Sequence, residues 1–130
     1  MEPITVKLVL EILGAPKAHV EETLHAILEK LKEEEDVTIL SSKTYEPAEM
    51  DRLWSTFADV EIETTLPKLF GLCFDYMPSS VEILQPLSLA ISTLDLNSFL
   101  NDLQARLHRY DMVIKALNAK KQLQKRREEH

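Results

Sequence analysis

Glycine, cysteine and long apolar runs are all scarce in this chain of 130 residues. Its two glycines, Gly14 and Gly71, are too far apart for a phosphate-binding loop, which needs closely spaced glycines. The single cysteine, Cys73, cannot form an internal disulfide, which is typical of a reducing compartment. No apolar run reaches the roughly 18 residues that cross a bilayer, and the start Met-Glu-Pro-Ile lacks signal-peptide features. We therefore expect a cytoplasmic protein that does not contact a membrane.

Charge is distributed unevenly along the chain, whose net charge is −7. Residues 1–95 contain seven Lys or Arg and eighteen Asp or Glu, whereas residues 96–130 contain eight and four. A basic segment on an acidic chain can bind nucleic acid, an acidic protein or the chain's own acidic part. The alternative is a solvated helix end whose cations complement the helix dipole. The residues expected to make an electrostatic contact with a partner are Lys120, Lys121, Lys125, Arg126 and Arg127.

The periodicity of apolar residues predicts the order strand, helix, strand, strand, helix, strand, followed by a long helix. The predicted strands are 4–13, 37–45, 57–65 and 81–84, with a short helical turn at 48–54 and a further edge strand at 87–91. This order is typical of an α+β fold, a ferredoxin-like βαββαβ sandwich with both helices on one face of an antiparallel sheet.

The predicted division of the chain has three parts. Residues 1–95 form the ferredoxin-like body, and residues 96–119 form an added C-terminal helix of the same domain. Residues 120–130 form a charged tail, for which a disordered conformation is one alternative. Asp95 or Asn97 can cap the start of the long helix.

The most regular pattern in the chain is a heptad spacing of seven apolar residues, which we call the heptad seam. Its members are Leu96, Leu100, Leu103, Leu107, Tyr110, Ile114 and Leu117. A strict spacing of 3.5 residues keeps one side of a helix facing a partner helix. The seam is therefore predicted to be an interface.

The outward face of the predicted sheet is a poor partner for this seam. It carries Glu11, Asp59, Glu61 and Glu63, and burying leucines against them would leave charges without partners. The seam is therefore expected to pair with the same helix of a second copy or to pack at the sheet edge near 87–94. The alternative is a third core helix of a monomer.

The same acidic face of the sheet is predicted to lack aromatics, so RNA is not expected to bind there. Nucleic acid binding through the basic tail stays an alternative.

Two groups of residues suggest chemistry but do not have the required spacing. Glu21, His25 and Glu29 share one helix face, yet the first and last are about 12 Å apart along the axis, too far for one metal ion. Cys73 lies inside an apolar helix with no histidine nearby in sequence, which is typical of a buried structural cysteine. No catalytic residue, cofactor or metal site is therefore predicted.

Residues 76–86, followed by a long helix that ends in Arg109-Tyr110, resemble the C-terminal ferredoxin-like extension of WYL-type bacterial regulators. In that extension a strand of Val-Glu-Val-Leu-Glu-Pro type precedes the last helix. The resemblance covers about a quarter of the chain. The diagnostic Trp-Tyr-Leu triplet is absent, so no functional residue is transferred from that family.

These observations favour a non-enzymatic interaction or oligomerisation module that docks through the heptad seam. The expected partner is a second copy of the chain, as a homodimer, or another protein. The alternative is a regulatory domain that senses a small ligand bound at a dimer or helix–sheet interface. A third reading is a small cofactor-free enzyme that uses Cys73, Asp75 or His25.

Overall fold

The computed structural model describes residues 2–129 as an α+β protein with a five-stranded antiparallel sheet and a long C-terminal helix. The elements are β1 (Ile4–Gly14), α1 (Lys17–Glu33), β2 (Thr38–Thr44), β3 (Ala48–Met50), β4 (Leu53–Thr64), α2 (Leu66–Tyr76), β5 (Ser80–Gln85) and α3 (Thr93–Glu128). The chain divides into two compact units between Leu89 and Ala90. We call them the sheet unit (residues 2–89) and the helical unit (residues 90–129).

Two long strands form the centre of the sheet. The strand order is β2-β4-β1-β5, every pairing is antiparallel, and the short β3 pairs with the first part of β4. β1 and β4 pair along their whole length, from Ile4 opposite Thr64 to Gly14 opposite Trp54. Their side chains alternate between a buried face and a more accessible face, as expected for a sheet that is covered on one side.

The core of the sheet unit lies on the buried face of β1 and β4. Val6, Leu8, Val60 and Ile62 are completely buried there. α1 begins at Lys17, directly after Pro16, whose fixed φ suits the start of a helix. Its buried residues, spaced for one helix face, are Val20, Leu24, Leu28 and Leu31. α2 adds Leu66, Leu69 and Leu72 to the core.

The structure corrects the predicted helical turn at 48–54, because this segment is a β-hairpin. Met50 pairs with Leu53, which leaves Asp51 and Arg52 as a two-residue turn. Their φ angles are 47° and 72°, and this type of tight hairpin turn needs positive φ at both positions. The usual sequence signal is Asn-Gly or Asp-Gly, and Asp51-Arg52 lacks the glycine. The hairpin also explains why β4 begins at Leu53 rather than at 57.

α3 is longer at both ends than the predicted helix. It begins at Thr93, because the Ser92 hydroxyl accepts a hydrogen bond from the Asp95 N–H at 3.1 Å, so the cap is neither Asp95 nor Asn97. It continues to Glu128 and so includes most of the segment predicted as a charged tail. Residues 87–91 do not form the additional edge strand. His130 lies outside the described residues, and the division at residues 95 and 119 stays a prediction.

No helix within residues 2–129 is long and apolar enough to cross a membrane.

Candidate interaction surface

The seven residues of the heptad seam all lie on α3 and are accessible. Six of them expose between 41% and 61% of their surface, and Leu103 is half-buried. No residue of α3 is buried within the described chain. The seam runs along about 32 Å of helix at 1.5 Å per residue. α3 therefore presents a continuous apolar strip of the width and length that a second helix can cover.

Local interactions stabilise α3 without using the seam. Asp102 pairs with Arg106 at 3.3 Å and Asp111 with Lys115 at 2.9 Å, both between residues four apart. Such pairs stabilise a helix by a few tenths of a kcal/mol each. Asp95 in the first turn and the three bases of the last turn complement the helix dipole. These charges lie beside the seam, so they help to form the helix and leave the apolar strip uninterrupted.

The positions next to the seam differ on its two sides. In heptad notation Leu100, Leu107 and Ile114 occupy position a, and the other four seam residues occupy position d. Position g is mixed, since Phe99 and Val113 widen the apolar strip whereas Arg106 and Lys120 are basic. Position e is polar, and its residues are Asn97, Gln104, Asp111 and Asn118. An approaching helix would therefore meet an apolar centre with a fully polar flank at position e and a mixed flank at position g.

The basic residues follow the seam directly. After Leu117 the next a and d positions are Lys121 and Gln124, so the apolar strip ends there. All five predicted contact residues are exposed in the last turns of α3: Lys120, Lys121, Lys125, Arg126 and Arg127. They are accessible to an acidic partner, and the same placement is also that of a solvated helix end.

The accessible face of the sheet contains aromatic residues, which corrects the prediction that it has none. The rings of Tyr45 and Phe57 stack with centroids 4.2 Å apart. The Tyr45 hydroxyl donates to an Asp59 carboxylate oxygen at 2.9 Å, and the Lys43 ammonium lies 4.9 Å from the Tyr45 ring centroid. Phe57 has the same strand parity as Asp59, and this parity is the signal that could have placed it on this face.

An exposed apolar patch lies at the hairpin end of the same face. Met50 pairs with Leu53, and Leu13 pairs with Ser55, two residues further along β4. Directly opposed residues of antiparallel strands point to the same side, so all of them share the face of Phe57. Leu13, Met50 and Leu53 expose between 41% and 61% of their surface. The sequence prediction missed this patch because it did not include the hairpin.

A polar network joins the end of α1 to α2. The Lys68 ammonium lies 2.7 Å from one oxygen of Glu34, and the Tyr76 hydroxyl donates to the other at 2.9 Å. Both contacts hold the pKa of Glu34 below its ordinary value. Burial, together with the nearby Glu34 carboxylate, raises the pKa of Tyr76. An open cleft of about 390 Å³ adjoins the network, and its lining is Lys30, Glu33, Glu34, Glu35 and Lys68.

This network is suited to linking the two helices rather than to proton transfer. Both oxygens of Glu34 already accept contacts, and the lowered pKa keeps the carboxylate ionised at neutral pH. A general base would need a pKa near the working pH and a free oxygen.

The other residues that the sequence suggested for catalysis or metal binding lie on two different helices, Cys73 and Asp75 on α2 and the remaining three on α1. Cys73 is half-buried, and burial raises the pKa of its thiol, which disfavours the reactive thiolate. Glu21, His25 and Glu29 are exposed on α1. Within residues 2–129, no three or more His, Cys, Asp or Glu side chains come together in a group that could hold a metal ion.

The chain belongs to the MJ0538 family, whose sequence model matches residues 5–129. The match includes most of the sheet unit and α3. No curated protein and no solved structure matches the chain. The likeness of residues 76–86 to WYL-type regulators therefore stays a resemblance.

Proposed function

We propose that this member of the MJ0538 family is a non-enzymatic interaction module, which forms a homodimer through the heptad seam of α3. The observation that supports this is the exposure of an apolar strip on a helix in which no described residue is buried. Contiguous apolar surface of this kind is uncommon on soluble monomers unless it binds something. Covering the strip removes apolar surface from water, which is the main driving force for association.

A second copy of the chain fits this strip because the seam is self-complementary. Leucine predominates at both the a and the d positions, and two such seams interdigitate as knobs into holes. In a dimer with two-fold symmetry each contact between seam residues occurs twice, so the three heptads of one helix pack against the three heptads of its partner. Another protein with a similar helix is the alternative occupant.

We also propose that the sheet unit is a ferredoxin-like sandwich into which β3 is inserted. When β3 is left out, the remaining strands and the two helices follow the order βαββαβ. The first and third of these strands, β1 and β4, are then the central pair, and the other two are the edges. This arrangement of strands is what supports the assignment.

The test of the dimer is a charge placed in the middle of the seam, Leu107→Glu, measured by size exclusion with light scattering. We expect the unmodified chain at twice its mass of 14.9 kDa and the variant at the mass of one chain. The matched control is Met112→Glu, because Met112 is an apolar residue of α3 with similar exposure, 57% against 48% for Leu107, and lies outside the seam.

Two results would contradict the proposal. One is a monomeric unmodified chain at every concentration, which would favour a different partner for the seam. The other is a Leu107→Glu variant that dimerises as strongly as the Met112→Glu control, which would place the interface elsewhere. Circular dichroism of each variant shows that α3 has kept its helix.

A further inference from the structure

We infer that the two α3 helices of the dimer run antiparallel, with Leu107 of one chain opposite the partner's Tyr110. The inference rests on the proposed dimer and adds its orientation and register. It follows from the charges and polar residues at the positions beside the seam, which a parallel and an antiparallel pair bring together differently.

The basic end of α3 opposes a parallel arrangement. Residues 118–128 contain five bases and one acid, whereas residues 93–106 contain two acids and one base. A parallel pair would place Lys121 against the partner's Lys121 at an a position and Lys120 against the partner's Lys125 at the flank. An antiparallel pair separates the two basic ends by most of the helix length.

The favourable contacts of a parallel pair are too few to offset this repulsion. Only Arg106 and the partner's Asp111 would meet as opposite charges at the g and e positions. Both already have ion-pair partners in their own helix, Asp102 for Arg106 and Lys115 for Asp111. Exchanging one exposed pair for another gains little.

One antiparallel register pairs nearly the whole seam. With Leu107 opposite the partner's Tyr110, Leu103 lies opposite the partner's Ile114 and Leu100 opposite the partner's Leu117. The two-fold axis repeats each pair, which makes six apolar layers. Leu96 faces the partner's Lys121, whose aliphatic stem can cover it while the ammonium stays in water.

The polar flank is also satisfied in this register. At the e positions Gln104 faces the partner's Asp111, and Asn97 faces the partner's Asn118, so each can form a hydrogen bond. The register shifted by one heptad, with Leu107 opposite the partner's Leu103, instead brings Arg106 against the partner's Arg106. The flanking residues therefore select the first register.

Spin-label distances between chains test the orientation. The labels go on Ser98→Cys or Ala119→Cys in a Cys73→Ala background, because both sites are exposed and lie on the side of α3 away from the seam. In a mixed dimer with one label at 98 and the other at 119, we expect the labels to be separated only across the width of the helix pair. These two positions are level along the axis in the inferred register. Dimers labelled at the same position on both chains should show labels offset along the axis by about 32 Å.

Each other outcome has its own meaning. Short distances between identical positions, with a long one in the mixed dimer, would overturn the antiparallel orientation while leaving the dimer intact. A mixed-dimer offset of about 10 Å would overturn the register, because it corresponds to a shift of one heptad. No dipolar coupling at any concentration would mean a monomer, and then the proposed function fails rather than the orientation.

A charge substitution gives a second measurement. Gln104→Lys adds a cation that would face the partner's Asp111 twice in the antiparallel dimer, and because Asp111 also keeps its own partner Lys115, the dissociation constant should fall by only about twofold to threefold. In a parallel dimer the same lysine would face the partner's Phe99 and gain nothing. Gln122→Lys is the matched control, because Gln122 is an exposed glutamine that lies away from the seam and its flanks. Equal dissociation constants for the two variants would contradict the inference.

Discussion

α1 and α3 both have apolar residues at helical spacing, yet α1 buries its stripe and α3 does not. α1 has 17 residues and buries four of them. α3 has 36 residues and buries none within the described chain. A stripe is buried only where the fold supplies an apolar surface that matches it. For α1 that surface is the apolar face of β1 and β4.

The difference teaches that periodicity alone does not assign a helix to a core. The α1 stripe has the wider 3.6-residue spacing of a helix that packs on a sheet, and the α3 seam has the narrower 3.5-residue spacing of a helix pair. Both patterns are amphipathic. Only the second has the spacing at which two helices pair along their length.

The largest expected effect comes from a leucine-to-alanine substitution in the stripe of α1, compared with the same substitution in the seam of α3. Leu31→Ala removes a completely buried side chain of α1 and should lower the free energy of unfolding of the sheet unit by about 2–5 kcal/mol. Leu107→Ala, the matched change on α3, should leave that free energy almost unchanged and weaken the proposed dimer instead. Denaturant titration followed by Trp54 fluorescence reports on the sheet unit, because Trp54 is the only tryptophan. Similar losses in both variants would remove the distinction between the helices.

Breaking single ion pairs in the two units should have a smaller effect, and the effect should differ between the sheet unit and α3. Lys68→Met breaks a pair between elements and should lower the free energy of unfolding of the sheet unit by up to about 1 kcal/mol at neutral pH. Lys115→Met breaks a pair within α3 and should leave the sheet unit unchanged.

The cost of Lys68→Met should depend on pH in a definite direction. The folded-state pKa of Glu34 is lowered from its ordinary value of 4.5, so its stabilising contribution is complete above pH 4.5. It is lost as the pH falls through the lowered pKa. The unmodified chain and Lys68→Met should therefore converge in stability in acid, as denaturant titrations at several pH values would reveal. A difference that persists undiminished at low pH would mean that lost packing of the Lys68 stem dominates.

The smallest effect is a stabilisation. Arg52→Gly replaces a residue held at a φ of 72° by the one residue that adopts it freely, and the net gain should be about 0.5 kcal/mol. The melting temperature of the sheet unit should rise, while the dissociation constant of the proposed dimer should not change. A lower melting temperature would indicate that the Arg52 side chain contributes more than its backbone conformation costs.

Much of the sheet unit follows from local signals in the sequence. The alternation from Ile4 to Ile12 and the Val20–Leu31 stripe predict β1, α1 and most of their core residues, because each pattern reflects one buried face. The β3–β4 hairpin does not follow, because its turn uses positive φ at Asp51 and Arg52 without a glycine. The stack of Tyr45 on Phe57 does not follow either, because it joins the residue after β2 to β4 across the sheet, and local patterns do not set which residues of two strands lie side by side.

The heptad seam is readable from the sequence, but its accessibility is not. The spacing of Leu96 to Leu117 and the change from a net acidic to a net basic chain are properties of the sequence itself, and so is the length of the apolar strip. Whether such a strip is covered depends on which surfaces the rest of the chain presents, and only the tertiary structure decides that. Within the sheet unit it buries the stripe of α1 on β1 and β4, because these strands supply a complementary apolar surface, whereas no described residue of α3 is buried.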